Sequence, residues 1–161
     1  ELAELGLRLG ADVPVFVHCR AAWAEGVGER LTPVDLDEPW FAVLVPACHV
    51  ATGVVFKDSE LTRNSTPVTM TDFMMGADGN DCEAVVYRRY PEVAAAAAWL
   101  ARRGRARLTG TGACVFAAFE DEADASRVLD QLPLDWTGFL ARGRNGSPLH
   151  ERLQRERIAS A

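Results

Sequence analysis

Residues 107–119 read Arg107-Leu108-Thr109-Gly110-Thr111-Gly112-Ala113-Cys114-Val115-Phe116-Ala117-Ala118-Phe119. This run predicts two strands, over 107–109 and 113–119, joined by a glycine-bearing turn at Gly110-Thr111-Gly112. On its C-terminal side, residues 122–131 form an amphipathic pattern with Ala125, Val128, Leu129 and Leu132 inward, and 138–142 is again strand-like. On its N-terminal side, Asp81 is placed to cap a helix over 82–90, and Pro91 to start another that ends at Gly104. FAVLVP at 41–46 is a continuous apolar run and reads as a buried strand. Between these lie a short helix at 51–57, a loop at 59–68, one helical turn at 72–75 and a turn at 78–81. The order is strand, helices, strand pair, helix, strand. Helices on one face of an antiparallel sheet would bury every apolar face, which makes the fold α+β.

The first forty residues read differently. Residues 1–9 carry Leu2, Leu5 and Leu9 on one face of a helix closed by Gly10. Val13–His18 is β-prone, with Pro14 suiting a strand entry. Residues 21–25 and 29–34 read as strands around Gly26-Val27-Gly28, and 36–40 as a link between domains. The tail from Gly143 is charged and expected to fray. Because the sequence opens at Glu1 inside a helical pattern, it is expected to be cut from a longer polypeptide.

Composition narrows the partners. The chain has 161 residues, 48% hydrophobic and 25% charged, and a net charge of -6. That length supports a buried core, and the acid excess argues against nucleic acid as the main partner. No apolar run nears the ~20 residues of a membrane helix. Cys19, Cys48, Cys82 and Cys114 include no CxxC pair and suit reduced thiols in a cytosol. His18, His49 and His150 lie far apart, so no metal site is expected from them. No phosphate loop of the G-x-x-x-x-G-K-[ST] type, nucleophile elbow or dinucleotide fingerprint occurs.

Three features could carry chemistry, and each has two readings from the residues alone. Asp12 either caps a turn or is a base held between rigid elements with apolar neighbours. Gly110-Thr111-Gly112 is either an ordinary hairpin turn or a stretch of open backbone that a phosphate can approach. Phe56 is either a core residue or an exposed ring that stacks on a base. Trp40, Trp99 and Trp136 read as packing.

Six segments occur in one order: LGADVPVF (9–16), AEGVGERLTPV (24–34), VVFKDSELTRN (54–64), NDCE (80–83), RLTGTGACVFA (107–117) and NGSPLH (145–150). Together they resemble the C-terminal part of a GHMP superfamily kinase, over nearly the whole chain. The resemblance implies the end of the GHMP N-terminal catalytic domain over 1–34, a ferredoxin-like α+β domain over 35–144 and a tail over 145–161. It implies ATP-dependent phosphorylation, with Mg²⁺ on the nucleotide, of the 2-hydroxyl of a cytidine-diphosphate-linked methylerythritol on the route to isoprenoids. Asp12 matches the family's catalytic aspartate. Phe56 matches the aromatic stacked on cytosine, and Thr52 a substrate-contacting threonine. Gly110, Thr111 and Gly112 match the motif beside the phosphates. The family's glycine-rich ATP loop, its catalytic lysine and the other half of its cytosine clamp have no counterpart here. Lys57, the one lysine, sits in the VVFKD segment and does not replace that lysine, so the chain alone is expected to be inactive. The competing readings are another GHMP small-molecule kinase, or a non-catalytic α+β module that binds a ligand.

Overall fold

The structure, a computed structural model, describes residues 1–77 and 79–159. In chain order its elements are α1 (Leu2–Leu7), α2 (Val13–His18), β1 (Ala22–Glu25), β2 (Arg30–Pro33), β3 (Trp40–Val45), α3 (Thr52–Lys57), α4 (Met70–Met74), α5 (Cys82–Arg89), α6 (Pro91–Ala101), β4 (Arg107–Leu108), β5 (Val115–Phe119), α7 (Glu122–Leu129), β6 (Thr137–Arg142) and α8 (Pro148–Ala159). They divide into two compact units. One takes residues 39–142; the other takes residues 1–38 and the chain from Gly143 on.

In the unit formed by residues 39–142, β4, β5, β3 and β6 lie side by side in that order, all antiparallel. With α5 and α6 between β3 and β4, and α7 between β5 and β6, this is the β-α-β-β-α-β order of the ferredoxin-like fold. Ala42 lies opposite Ala117 and Leu140, and Leu44 opposite Val115 and Gly138. This register puts Ala42, Leu44, Val115 and Ala117 on one face, all buried. The helices cover that face. In α6, Val93, Ala96, Ala97 and Leu100 fall at helical spacing and are buried, so a run of alanines becomes a close-packed helix seam. In α7, Ala125 and Val128 point inward, while Asp121 accepts from the Asp124 N–H at 2.8 Å and caps the helix. Gly138 has no room for a side chain: a Cβ there would sit 2.9 Å from Leu132 and from the Val43 carbonyl. On the opposite face Phe41 meets Phe116 edge to face, with centroids 5.7 Å apart, and the Arg107 guanidinium lies 4.9 Å over the Phe116 ring.

The other unit carries the β1–β2 hairpin, with Gly26 at φ 72° and Gly28 at φ 117° in its turn. Asn145 ties its two chain segments together. Its amide accepts from the Leu36 N–H at 2.9 Å and donates to the Leu36 carbonyl at 2.7 Å. Its own N–H donates to Glu38 at 2.8 Å, and its carbonyl accepts from the Ala21 N–H at 2.8 Å.

The sequence-based expectation fails in three places in this unit. Val13–His18 is a helix, not a strand. Pro14 occupies its first turn, where a missing N–H costs nothing, and Cys19 ends it in a left-handed conformation with φ 55°. The tail is not frayed over its described length, because Pro148 opens α8 and an Arg152–Glu156 pair four residues apart braces it. The helix at the start is shorter than expected, ending at Leu7 with Arg8 as its cap, so Gly10 lies beyond it. Of the turn expected at 78–81, Asp78 lies outside the described residues, as do residues 160–161 of the tail.

Candidate functional site

Thr52 and Phe56 stand four residues apart on α3, and so share one face of the helix. Val55 faces the other way and is fully buried. That anchor leaves Phe56 outward, 56% exposed. Phe56 is therefore not a core residue.

The end of α3 is held from outside the helix. Arg63 donates to the carbonyls of Phe56 at 2.6 Å, Asp58 at 3.0 Å and Leu61 at 3.0 Å. The Phe56 carbonyl is one of the acceptors that a helix end leaves without an internal partner. Asp58 is the one buried charged residue among the described residues. Its carboxylate accepts from Arg89 Nε at 2.5 Å, Arg88 at 3.0 Å and the Glu60 N–H at 2.9 Å. The Arg89 hydrogen bond, aided by Arg88, holds the Asp58 carboxyl below the usual carboxylate range against the opposing effect of burial.

The turn at 110–112 has Gly110 at φ 48° and Gly112 at φ 91°, conformations that side chains rarely adopt. A Cβ on Gly110 would meet nothing within 4 Å, so this backbone faces open space. The turn closes through a Gly112 N–H to Thr109 carbonyl bond of 2.7 Å and a Thr109 N–H to Cys114 carbonyl bond of 3.0 Å. The Thr111 hydroxyl shares a 2.9 Å hydrogen bond with the Thr52 hydroxyl. The structure thus joins two of the expected site segments, the start of α3 and the glycine turn.

Asp12 belongs to the other unit. It is exposed at the N-terminal boundary of α2, with no hydrogen bond from its side chain to the helix it precedes. The junction it occupies is therefore helix to helix, not helix to strand. Its neighbour Ala11 is approached closely by the β1–β2 turn: a Cβ on Gly28 would lie 2.8 Å from the Ala11 carbonyl oxygen. Only glycine allows that approach, which braces the backbone leading into Asp12.

Several residues that sequence reasoning did not single out shape these segments. In NDCE the side chain that takes a free N–H at the start of α5 is that of Asn80, whose carbonyl oxygen accepts from the Cys82 N–H at 3.0 Å. Asp81 stands at the N-cap position as expected, but its side chain makes no capping hydrogen bond and accepts from the Ser65 hydroxyl at 2.7 Å. The Asn80 amide also donates to the carbonyls of Leu108 at 3.2 Å and Gly110 at 2.6 Å, and Glu83 accepts from the Leu108 N–H at 2.9 Å. The signal for Asn80 and Glu83 lay in the quoted NDCE segment; their partners lie in another segment. Among the described residues no three His, Cys, Asp or Glu side chains are grouped to hold a metal ion, and no helix is long and apolar enough to cross a membrane.

Comparison with known proteins gives these segments a context. Residues 69–137 match the family described as GHMP kinases C terminal. The 4-diphosphocytidyl-2-C-methyl-D-erythritol kinase of Alkalilimnicola ehrlichii is 56% identical over 97% of this chain and 54% of its own length. That of Ectopseudomonas mendocina is 56% identical over 95% of this chain and 53% of its own. A crystal structure of a 4-(cytidine 5'-diphospho)-2C-methyl-D-erythritol kinase superposes with a TM-score of 0.72 at 27% identity, over 89% of this chain and 57% of the other. The chain spans about half the length of the curated relatives it matches. It resembles the C-terminal portion of these GHMP superfamily kinases.

Proposed function

We propose that this chain supplies the base and part of the substrate wall of an ATP-dependent kinase acting on the 2-hydroxyl of 4-diphosphocytidyl-2-C-methyl-D-erythritol, in the cytoplasmic route to isoprenoid precursors. The observation that carries the reading is the 2.9 Å bond between the Thr52 and Thr111 hydroxyls. It sets an outward aromatic ring and an open glycine turn on the two sides of one contact.

On this reading Phe56 stacks on the cytosine ring and Thr52 contacts the same substrate. The open backbone at Gly110, with Thr111 and Gly112, lies beside the phosphates; the space left by the absent Cβ fits a phosphate oxygen. ATP with its Mg²⁺ supplies the phosphoryl group when bound. Asp12 accepts the proton of the attacking hydroxyl. Phosphoryl transfer depends chiefly on positioning and charge stabilisation, so a carboxylate held on rigid backbone is sufficient for that role. The residues that bind the nucleotide belong to the part of the relatives that this chain does not span, so the chain alone does not turn over ATP. Residues 1–34 act as the end of the catalytic domain and 35–144 as the substrate-side domain. The exposed Leu2, Leu9 and Phe16 support a further layer of protein on the first of these.

The test is Asp12→Asn in the full-length kinase that carries this chain. Loss of a positioned base lowers kcat by about 10²–10⁴. A kcat near that of the unaltered enzyme would sink the assignment. A panel of the cytidyl substrate against mevalonate separates this reading from that of another GHMP kinase.

A further inference from the structure

The NDCE segment has no part in the chemistry above, yet two of its side chains bind the backbone that carries the glycine turn. The Asn80 amide has two N–H donors, and both are used, one on the Leu108 carbonyl and one on the Gly110 carbonyl. Its carbonyl oxygen takes the Cys82 N–H at the start of α5. The reverse orientation would set an acceptor against two carbonyls, so the network fixes which way the amide points. Glu83, one helical turn further on, takes the Leu108 N–H. Both backbone groups of Leu108, two residues before Gly110, are thereby clamped, the carbonyl to Asn80 just ahead of α5 and the N–H to Glu83 in its first turn. Gly110 has no side chain to hold it, and a Cβ there would touch nothing. Its 2.6 Å bond to Asn80 therefore stands in for packing. Thr111, the next residue, reaches Thr52.

We propose that Asn80 is a positioning residue of the proposed kinase site, fixing the Gly110–Gly112 turn so that Thr111 meets Thr52 and the turn's open backbone faces the phosphates. This rests on the function proposed above. Asn80 acts through Thr111 and Gly110 and does not touch the substrate. Its absence lowers the rate of transfer and leaves cytosine recognition by Phe56 in place.

The test uses the full-length kinase that carries this chain. Asn80→Ser keeps a hydroxyl able to cap α5, but is too short to reach Gly110. Misplacement of a reacting group by about an ångström is worth up to on the order of 10²-fold. Asn80→Ser is therefore expected to lower kcat by about 10–100-fold while KM for the cytidyl substrate stays within about threefold. Thr111→Val, which removes the hydroxyl, lowers kcat as well. The double variant is no worse than the poorer single one, because residues acting as a unit are not additive. A kcat within twofold of the unaltered enzyme, additive losses in the double variant, or an unchanged kcat in Thr111→Val would each overturn the inference. If Asn80→Ser fails to fold, Asn80→Asp takes its place under the same criteria, since it keeps the capping oxygen and loses both donors. Failure of both to fold makes Asn80 a residue of domain stability and also overturns the inference. Asp12→Asn, run beside them, separates the two levels. If it abolishes turnover while the Asn80 variants are normal, only the positioning role fails; if it leaves turnover intact, the kinase reading itself fails.

Discussion

Arg63 offers a sharp test of whether the end of α3 is built to aim Phe56. Its guanidinium makes three hydrogen bonds, all to backbone carbonyls at or just after the helix end, and one of them, at 2.6 Å, is to Phe56 itself. In Arg63→Ala the Phe56 carbonyl turns to water, because that bond is exposed, while the Asp58 carbonyl keeps the Leu61 N–H. A solvated hydrogen bond contributes about 0.5–1.5 kcal/mol net, so folding should survive. The effect on binding has a ceiling. If Arg63 acts only by orienting Phe56, its loss cannot exceed that of the stack, about 1–3 kcal/mol per base. At about 1.4 kcal/mol per tenfold, Phe56→Ala should weaken the cytidyl substrate by roughly 5–150-fold. Arg63→Ala should fall short of that, and Arg63→Ala with Phe56→Ala should match Phe56→Ala alone. Arg63→Lys keeps the charge but not the planar fork and should resemble Arg63→Ala.

The measurement is KM and Kd for the proposed cytidyl substrate in the full-length protein that carries this chain, with KM for ATP as the internal control. A loss in Arg63→Ala larger than that in Phe56→Ala, or additive with it, would mean that Arg63 touches the substrate. No loss at all would mean that Val55 and the Asp58 cluster hold the helix unaided. Full binding in Arg63→Lys would mean that charge, not geometry, is what matters at this position.

Three further outcomes follow from the packing and the charges. Leu100 is fully buried in the seam of α6, so Leu100→Ala should cost about 3–5 kcal/mol, and thermal unfolding should shift by about 2–4 °C per kcal/mol in a chain of this size; a shift under about 2 °C in all would contradict the burial. Asn145→Ala removes two side-chain hydrogen bonds to Leu36 and should speed amide exchange at Leu36, with Asn145→Asp restoring the acceptor for the Leu36 N–H but not the donor; unchanged exchange in the alanine variant would refute the tie. Burial, with the Glu83 charge beside it, pushes the Tyr87 phenol up to about 12 from 10. The folded state holds that proton more tightly, so the contribution to stability is complete below pH ~10 and is lost as pH rises towards 12. Absorbance at 295 nm should show one of the chain's two tyrosines ionising that late, and Tyr87→Phe should remove the corresponding fall in denaturation midpoint.

The elements legible in the sequence were those whose cause is local. FAVLVP and VFAAF are strands because continuous apolar runs suit a buried sheet, and Pro91 announces α6 by its fixed φ. Thr52 and Phe56 share a face because four residues make about one helical turn. VPVFVH misleads for the converse reason. Its β-branched and aromatic residues favour a pleated surface, but strand propensity is mostly a statement about neighbours, and here Pro14 and the left-handed Cys19 frame a single short helix. The missed residues have causes that lie far along the chain. Asn80 reaches carbonyls 28 and 30 residues away, and Arg88 and Arg89 reach Asp58 across 30 and 31. Nothing in the spacing of NDCE or of KDSEL encodes such a partner, because it exists only once the core has brought α5 against α3 and β4. The segments that carry the proposed chemistry can thus be read before folding. The side chains that aim them are visible only afterwards, and a substitution at Asn80 or Arg63 tests the fold's contribution to the reaction apart from that of the chemistry.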